Sequence, residues 1–155
     1  MLILQLKRFE YNHKKEIMVK INDKFTYPDE LDLTKYLHPQ NKNLNSMSPP
    51  KYTLHSIVVH QGTATSGHYF AYIKCTTDNN NWILFNDEIV KPAEKHDVFE
   101  NSFGGMSKLY KHKGKGEIIE SNYINETSAY ILVYIKNSSR SEILNPMTEY
   151  DVRLF

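Results

Sequence analysis

Two strand-like segments separated by a short polar connector constrain the fold more than any other feature of this chain. HYFAYIKC (68–75) and NWILFN (81–86) are rich in aromatic and branched residues, and TTDNN (76–80) has the length and composition of a hairpin turn. Folding about residue 78 pairs positions whose numbers add up to roughly 154–157, so His68 lies opposite a position between about 86 and 89. The hairpin therefore predicts that Asn86 and Asp87 lie beside His68.

The rest of the chain is also dominated by extended patterns. Strand signals occupy LILQLKRF (2–9), YTLHSIVVHQ (52–61) and AYILVYI (129–135). Short helices are predicted within residues 32–37, 91–103 and 140–155, and residues 104–128 form a polar, glycine-containing stretch before the last strand. Strands do not alternate with helices, which favours a single α+β domain over residues 1–155, mainly an antiparallel β-sheet with a few short peripheral helices.

Composition excludes several classes of function. The chain has 155 residues, 40% of them hydrophobic, and a net charge of +1, so bulk charge indicates neither nucleic acid nor an anionic membrane surface as a partner. The basic segment KLYKHKGKG (108–116) is interpreted as a solvated loop. Cys75 is the one cysteine, which excludes an internal disulfide framework and a multi-cysteine zinc site. We expect no metal and no cofactor.

His68 follows a small, polar run, TATSG (63–67), and begins an aromatic strand. An imidazole beside an amide or carboxylate makes up part of a nucleophilic triad, because the second group fixes the ring tautomer and leaves the other nitrogen to take a proton. The structural alternative is a histidine at a strand end next to an ordinary Asn86–Asp87 turn.

Several separated motifs resemble one enzyme family. SGHYFAYIK, WILFND and SAYILVYI resemble the histidine box and closing strand of the ubiquitin-specific proteases, and LILQLKRF resembles another signature strand of that family. The segments VKINDKFTYPDELDL and SEILNPMTEYD are most similar to the herpesvirus-associated subgroup. The resemblance covers almost the whole chain except residues 106–126, which look like a lengthened loop. It implies the palm-like part of a papain-like cysteine protease fold and hydrolysis of the bond at the ubiquitin C-terminus.

The resemblance also implies roles for individual residues. His68 falls at the position of the general base, Asn86 at the third position of the triad, and Asp87 at a second polar position that orients the histidine. Residues 61–67 resemble a mobile loop beside the cleft for the ubiquitin tail, with Ser66, Gly67 and Tyr69 lining it. Arg8 and Phe9 are further candidates for ubiquitin contact, the alternative being a simple strand end.

The nucleophile of that family has no counterpart in this sequence. Cys75 lies seven residues beyond His68, about 23 Å along an extended strand, and its odd offset places it on the opposite face. We therefore expect residues 1–155 to be the C-terminal portion of a catalytic domain that lacks the cysteine-bearing segment, and to be inactive alone. The expected partners are that upstream segment, ubiquitin and ubiquitinated proteins, with self-association through exposed strand edges, in the cytoplasm or nucleus.

Two other functions are compatible with these residues. One is a non-catalytic ubiquitin-binding module that keeps the fold without a thiol. The other is a structural, β-rich interaction domain in which the pairing of His68 with Asn86 is accidental.

Overall fold

A computed structural model describes residues 1–38, 49–75, 81–113 and 117–145. The strands, in chain order, are β1 Leu2–Gln5, β2 Phe9–Asn12, β3 Ile17–Lys20, β4 Glu30–Asp32, β5 Lys51–Gly62, β6 Gly67–Lys74, β7 Trp82–Asn86, β8 Ile89–Ala93, β9 Met106–Lys113, β10 Glu117–Ile124 and β11 Thr127–Lys136. The α-helices are α1 Lys95–Val98 and α2 Arg140–Ile143, and 3-10 turns cover Thr34–Tyr36, Glu100–Ser102 and Asn137–Ser139.

One seven-stranded sheet organises the molecule. Its order is β1-β11-β5-β6-β7-β8, with β4 paired to the start of β5, and every pairing is antiparallel. The prediction of a mainly antiparallel α+β domain with short helices is confirmed. None of the helices among the described residues is long and apolar enough to cross a membrane.

The hairpin predicted around His68 is confirmed in its strands and register. Ala71 lies opposite Phe85, and Lys74 lies opposite Trp82, which is within the predicted range of pairings. The Cys75 N–H donates a hydrogen bond to the Asn81 carbonyl, at 2.7 Å, just before the connector. The connector itself, residues 76–80, lies outside the described residues.

The core lies on one face of this sheet, where α1 and the 3-10 turn after it cover the strands. Its buried members are Tyr27, Leu54, Ile57, Val59, Tyr72, Trp82, Val98, Ala129, Leu132 and Tyr134. The buried hydroxyls of Tyr27 and Tyr134 donate to the carbonyls of Val98 and Pro28, at 2.9 and 2.7 Å. Their polar ends are therefore satisfied, which removes the cost of burying them.

Strand alternation decides which aromatic side chains enter the core. The sequence predicts that Tyr69 and Tyr72 lie on opposite faces of their strand, and this is confirmed, since Tyr72 is 7% exposed and Tyr69 is 49% exposed. It also predicts Trp82 and Phe85 as core anchors of the next strand. Trp82 is in the core, but Phe85 is 38% exposed, because an odd offset from Trp82 turns its side chain to the other face.

Two predicted elements begin or end elsewhere. The first strand ends at Gln5 rather than Phe9, and Phe9 begins a separate hairpin formed by β2 and β3. Pro92 lies in β8 rather than in a helix. An edge strand tolerates proline because one side of its backbone has no ladder partner. The helix then begins at Lys95, with a capping box between Glu94 and Asp97.

Residues 106–126, predicted to be a lengthened loop, contain the hairpin of β9 and β10. Its strands carry charged residues such as Lys108 and Glu120, whose side chains form an ion pair at 2.5 Å. This polar hairpin has no run of alternating apolar residues, which is why hydrophobic periodicity missed it. The basic segment read as a loop is strand as far as Lys113, and residues 114–116 lie outside the described residues. The tail predicted to be helical over residues 140–155 contains α2. Its residues 146–155 lie outside the described residues.

Candidate active site

His68 and Asn86 meet at one end of the β6–β7 hairpin. His68 is the second residue of β6 and Asn86 is the last residue of β7. The His68 ring lies on the core face, stacked against Phe70 with centroids 6.3 Å apart, and its side chain is 42% exposed. The His68 Nε2 atom lies 2.5 Å from the Asn86 Oδ1 atom. The sheet therefore holds an imidazole at its rim, with one ring nitrogen engaged and an open surface beside it.

This contact determines which imidazole nitrogen can accept a proton. The Asn86 Oδ1 atom is a carbonyl oxygen and can only accept a hydrogen bond, so Nε2 must carry the proton that it donates. In the neutral ring Nδ1 is then unprotonated. The arrangement presents Nδ1 as a base while Asn86 fixes the orientation of the ring.

Asp87 lies near the same nitrogen but farther away. Its Oδ2 atom is 3.7 Å from His68 Nε2, and its side chain is exposed. The backbone of Asp87 is in the left-handed region, with φ of 51°, at the start of the two-residue turn that leads into β8. Aspartate tolerates that region better than most residues. Asp87 is thus close enough to act on an imidazolium, but Asn86 makes the direct hydrogen bond.

The segment before His68 is a compact turn between two paired strands. Gln61 and Gly62 end β5, and Gly67 begins β6, where it pairs with Gly62. The Thr63 N–H donates to the Ser66 carbonyl at 2.8 Å, and the Ser66 N–H donates to the Thr63 hydroxyl at 3.1 Å. Ser66 and Gly67 are exposed beside His68. Their contact with ubiquitin, and the mobility expected of residues 61–67, stay predictions.

Gly67 is required by an internal contact. A Cβ atom at this position would lie 2.1 Å from the Nε2 atom of His60, far inside the van der Waals limit. His60 is only 4% exposed and packs against Phe9 and Tyr69, with ring centroids 5.1 and 4.7 Å away. Burial, and secondarily the charge of Lys20, lowers the pKa of His60. The ring is therefore held neutral against the residue that precedes His68.

The sequence predicts no role for His60, because no second potential metal ligand stands at a supporting spacing. No spacing pattern identifies it, because its contact with Gly67 depends on the β5–β6 register. Tyr69 and Phe9 belong to the same cluster, together with Tyr130, and lie on the face opposite the core. Their contact with ubiquitin stays a prediction.

Arg8 does not reach the surface. It is 4% exposed, and its guanidinium donates to the carbonyls of Ala129, Ile21, Asp23 and Phe103 at 2.7–3.3 Å. Burial lowers its pKa, an effect opposed by Asp23, but an arginine remains charged. This burial disfavours contact of Arg8 with ubiquitin, which stays a prediction. The hydrogen bonds of Arg8 join its own segment to three others, at residues 21–23, Phe103 and Ala129.

Cys75 lies at the other end of β6 from His68, one residue past Lys74. Seven residues of extended chain separate the two side chains by about 23 Å, so the thiol cannot exchange a proton with this imidazole. A cavity of about 620 Å³ also lies at that far end, lined in part by Asp29, Lys74 and Trp82. The cavity is polar and remote from His68, so it is no part of this site. Within the described ranges, no three His, Cys, Asp or Glu side chains are grouped as metal ligands.

Comparison with known proteins identifies relatives of this chain. Residues 1–134 match the sequence profile of the family described as ubiquitin carboxyl-terminal hydrolase. Ubiquitin carboxyl-terminal hydrolase 15 of Saccharomyces cerevisiae is 39% identical over 164 residues, covering 96% of this chain and 13% of the relative. Ubiquitin C-terminal hydrolase 12 of Arabidopsis thaliana is 37% identical, with the same coverage of both. Ubiquitin carboxyl-terminal hydrolase 7 of Drosophila melanogaster is 30% identical, covering 96% of this chain and 12% of the relative. The chain thus spans about an eighth of the length of these curated relatives.

Proposed function

Because this chain belongs to the ubiquitin carboxyl-terminal hydrolase family, we propose that it supplies the base of a ubiquitin-specific cysteine protease. The reaction is thiol-dependent hydrolysis of the peptide or isopeptide bond at the C-terminus of ubiquitin. His68 acts as the general base, Asn86 orients it, and Asp87 assists. The similarity of residues 19–33 and 141–151 to the herpesvirus-associated subgroup makes that subgroup the proposed place of the protein within the family.

One observation carries this proposal, the 2.5 Å contact between His68 Nε2 and Asn86 Oδ1. A neutral amide is sufficient as the orienting group in thiol chemistry. The thiolate is itself a good nucleophile, so the imidazolium needs orientation more than a full counter-charge. The amide carbonyl of Asn86 supplies that orientation without holding a second charge close to the ring.

The proton transfers are proposed to use Nδ1, because Nε2 donates its hydrogen bond to Asn86. The thiol of the nucleophile gives its proton to Nδ1, and the thiolate attacks the carbonyl carbon of the last ubiquitin residue. The imidazolium then returns the proton to the leaving amine, which departs and leaves a thioester. Water attacks the thioester while Nδ1 takes its proton, and the thiol is regenerated. Throughout, Nε2 keeps its hydrogen bond to Asn86.

The nucleophile comes from outside these 155 residues. Cys75 is remote from the imidazole, and no other cysteine occurs in the sequence. We propose that a cysteine-bearing segment of the same protein, upstream of residue 1, docks beside His68. The 155 residues alone are then inactive, and the protein acts on ubiquitinated proteins in the cytoplasm or nucleus.

Ser66 and Gly67 lie beside the imidazole and are proposed to border the path of the ubiquitin tail. Both are exposed, and Gly67 brings the backbone close to that path without a side chain. Tyr69 and Phe9 are proposed as contacts on the adjacent face, where Tyr69 is half exposed. The alternative function is a ubiquitin-binding module without catalysis. It is favoured by the same exposed surface and by the absence of a thiol near His68 among the described residues.

The test is release of a fluorophore from the C-terminal amide of ubiquitin by the full-length protein. His68→Ala should lower kcat/KM by about 10³-fold or more, since the general base is removed. His96→Ala is the matched control, because His96 is exposed on α1 and pairs with Glu100. The 155-residue chain should give no turnover. Ubiquitin binding without turnover by the full-length protein would establish the module instead, and full activity of His68→Ala would refute the catalytic assignment.

A further inference from the structure

The ammonium group of Lys20 joins three backbone carbonyls next to the site. Lys20 ends β3 and is half-buried. Its Nζ atom donates to the carbonyls of His60 at 3.1 Å and Gly62 at 3.0 Å, and to the carbonyl of Glu126. The three protons of an ammonium group match three acceptors, so the group is used in full.

These carbonyls lie where the β5–β11 ladder ends. Thr127 and Gln61 form the last pair of that ladder, and the Gly62 N–H still donates to the Glu126 carbonyl at 3.2 Å. Beyond this pair, the Lys20 side chain takes the place of the backbone hydrogen bonds that would continue the ladder. Its ammonium group thereby joins the last residues of β5 to the residue that precedes β11.

The two carbonyls on β5 flank the residue that is paired with the imidazole. Gln61 lies between His60 and Gly62, and its partner across the β5–β6 ladder is His68. The pairs formed by β7 begin only at Ala71, so among the described residues the first part of β6 is paired with β5 alone. The backbone position of His68 consequently depends on the end of β5, which Lys20 holds.

The placement of this lysine has an electrostatic cost. Burial lowers the pKa of Lys20 to about 8, opposed by the charge of Glu126 and aided by that of Arg8. The nearby His60 is kept neutral and adds no charge. Because the folded pKa lies below the unfolded one, folding stability is lost as pH falls through about 8 and is regained toward the ordinary lysine range.

We infer that Lys20 is a positioning residue, whose ammonium fixes the end of β5 and thereby sets His68 for proton transfer. This inference rests on the proposed function and deepens it. Removal of this side chain leaves the carbonyls of His60, Gly62 and Glu126 without their common donor, so the end of β5 loosens and His68 departs from its working position. We call the three hydrogen bonds of the Lys20 ammonium the Lys20 clamp. This clamp should affect kcat and leave ubiquitin affinity nearly unchanged.

The test compares Lys20→Met and Lys20→Arg in the full-length protein at pH 7. Lys20→Met should lower kcat about tenfold with KM within about twofold, since only the alignment of the base is lost. Lys20→Arg keeps a charged group with several N–H donors for the same carbonyls, so it should keep most of kcat. Lys51→Met is the control, since Lys51 lies at the opposite end of β5 and pairs with exposed Asp32.

A second measurement separates this inference from the proposed function. In the 155-residue chain, the amide resonances of Gly67 and His68 should show a titration near the pKa of Lys20, absent from Lys20→Arg. Unchanged kcat in Lys20→Met, or an equal loss of kcat in Lys20→Met and Lys20→Arg, would overturn the inference while activity of the wild type upholds the function. Absence of any His68-dependent hydrolysis would instead remove the function, and the amide titration would still report whether the clamp exists.

Discussion

At the scale of single residues, the site is built on one side-chain contact and one glycine. Asn86 fixes the ring of His68 through Nε2, and Gly67 admits the buried ring of His60 beneath the start of β6. The contact of His68 with Asn86 could be predicted from the sequence, because the length of a hairpin connector fixes which residues of its two strands lie opposite each other. The second could not, because it depends on how β5 and β6 align in three dimensions.

Gly67→Ala tests this second contact. The added methyl group would overlap the His60 ring, so either the ring or the start of β6 must move. We expect a loss of about 1–3 kcal/mol in the free energy of unfolding, as for other overpacked sites. Urea unfolding of the 155-residue chain measures it.

The double variant Gly67→Ala/His60→Ala removes the ring that the methyl group would strike. It should therefore be more stable than the sum of the two single changes predicts. Ser66→Ala is the control, since Ser66 is exposed and its hydrogen bonds use its backbone. Strict additivity of the two changes would show that the His60 ring does not constrain Gly67.

At the scale of elements, long and regular strands could be predicted and polar or interrupted ones could not. β5, β6, β7 and β11 follow their apolar patterns closely. The segment LILQLKRF reads as one strand, but buried Arg8 interrupts it and starts a second hairpin. A charged residue in an alternating pattern gives no sign that its partners are carbonyls distant in sequence. The contacts of Lys20 could not be predicted for the same reason, because its partners are also carbonyls distant in sequence.

Arg8 should therefore be important for stability. Arg8→Leu leaves the buried carbonyl of Ala129 and the partly buried carbonyl of Asp23 without their donor, so the free energy of unfolding should fall by about 2–4 kcal/mol. Lys7→Leu, an exposed neighbour, is the control and should change it by less than about 0.5 kcal/mol. Denaturant unfolding followed by circular dichroism measures both. Equal stability of the two variants would contradict the anchoring role.

At the scale of the whole molecule, a single sheet positions the core on one face and the candidate base at its rim. The fold class followed from the prevalence of strands, but the sequence could not show which rim is accessible. The two edge strands, β1 and β8, carry exposed Ile3, Ile89 and Val90. Exposed apolar edges support the expected self-association of the isolated chain, which stays a prediction.

The proposed catalytic arrangement also belongs to this scale, because no single element contains it. β6 supplies the imidazole, β7 supplies the amide, and β5 with Lys20 holds the backbone beneath them. The thiol is proposed to arrive from a further segment of the protein. The 155 residues are therefore expected to present a preformed base, with Nδ1 already free to accept a proton.

The most direct measurement of that claim is the ¹⁵N NMR spectrum of the His68 ring in the 155-residue chain, recorded above the pH at which the imidazole is charged. The account predicts the tautomer with the proton on Nε2 and an unprotonated Nδ1, and mixed tautomers in Asn86→Ala, where the fixed acceptor is gone. A proton found on Nδ1 in the wild-type chain, or a tautomer unaffected by Asn86→Ala, would contradict the account.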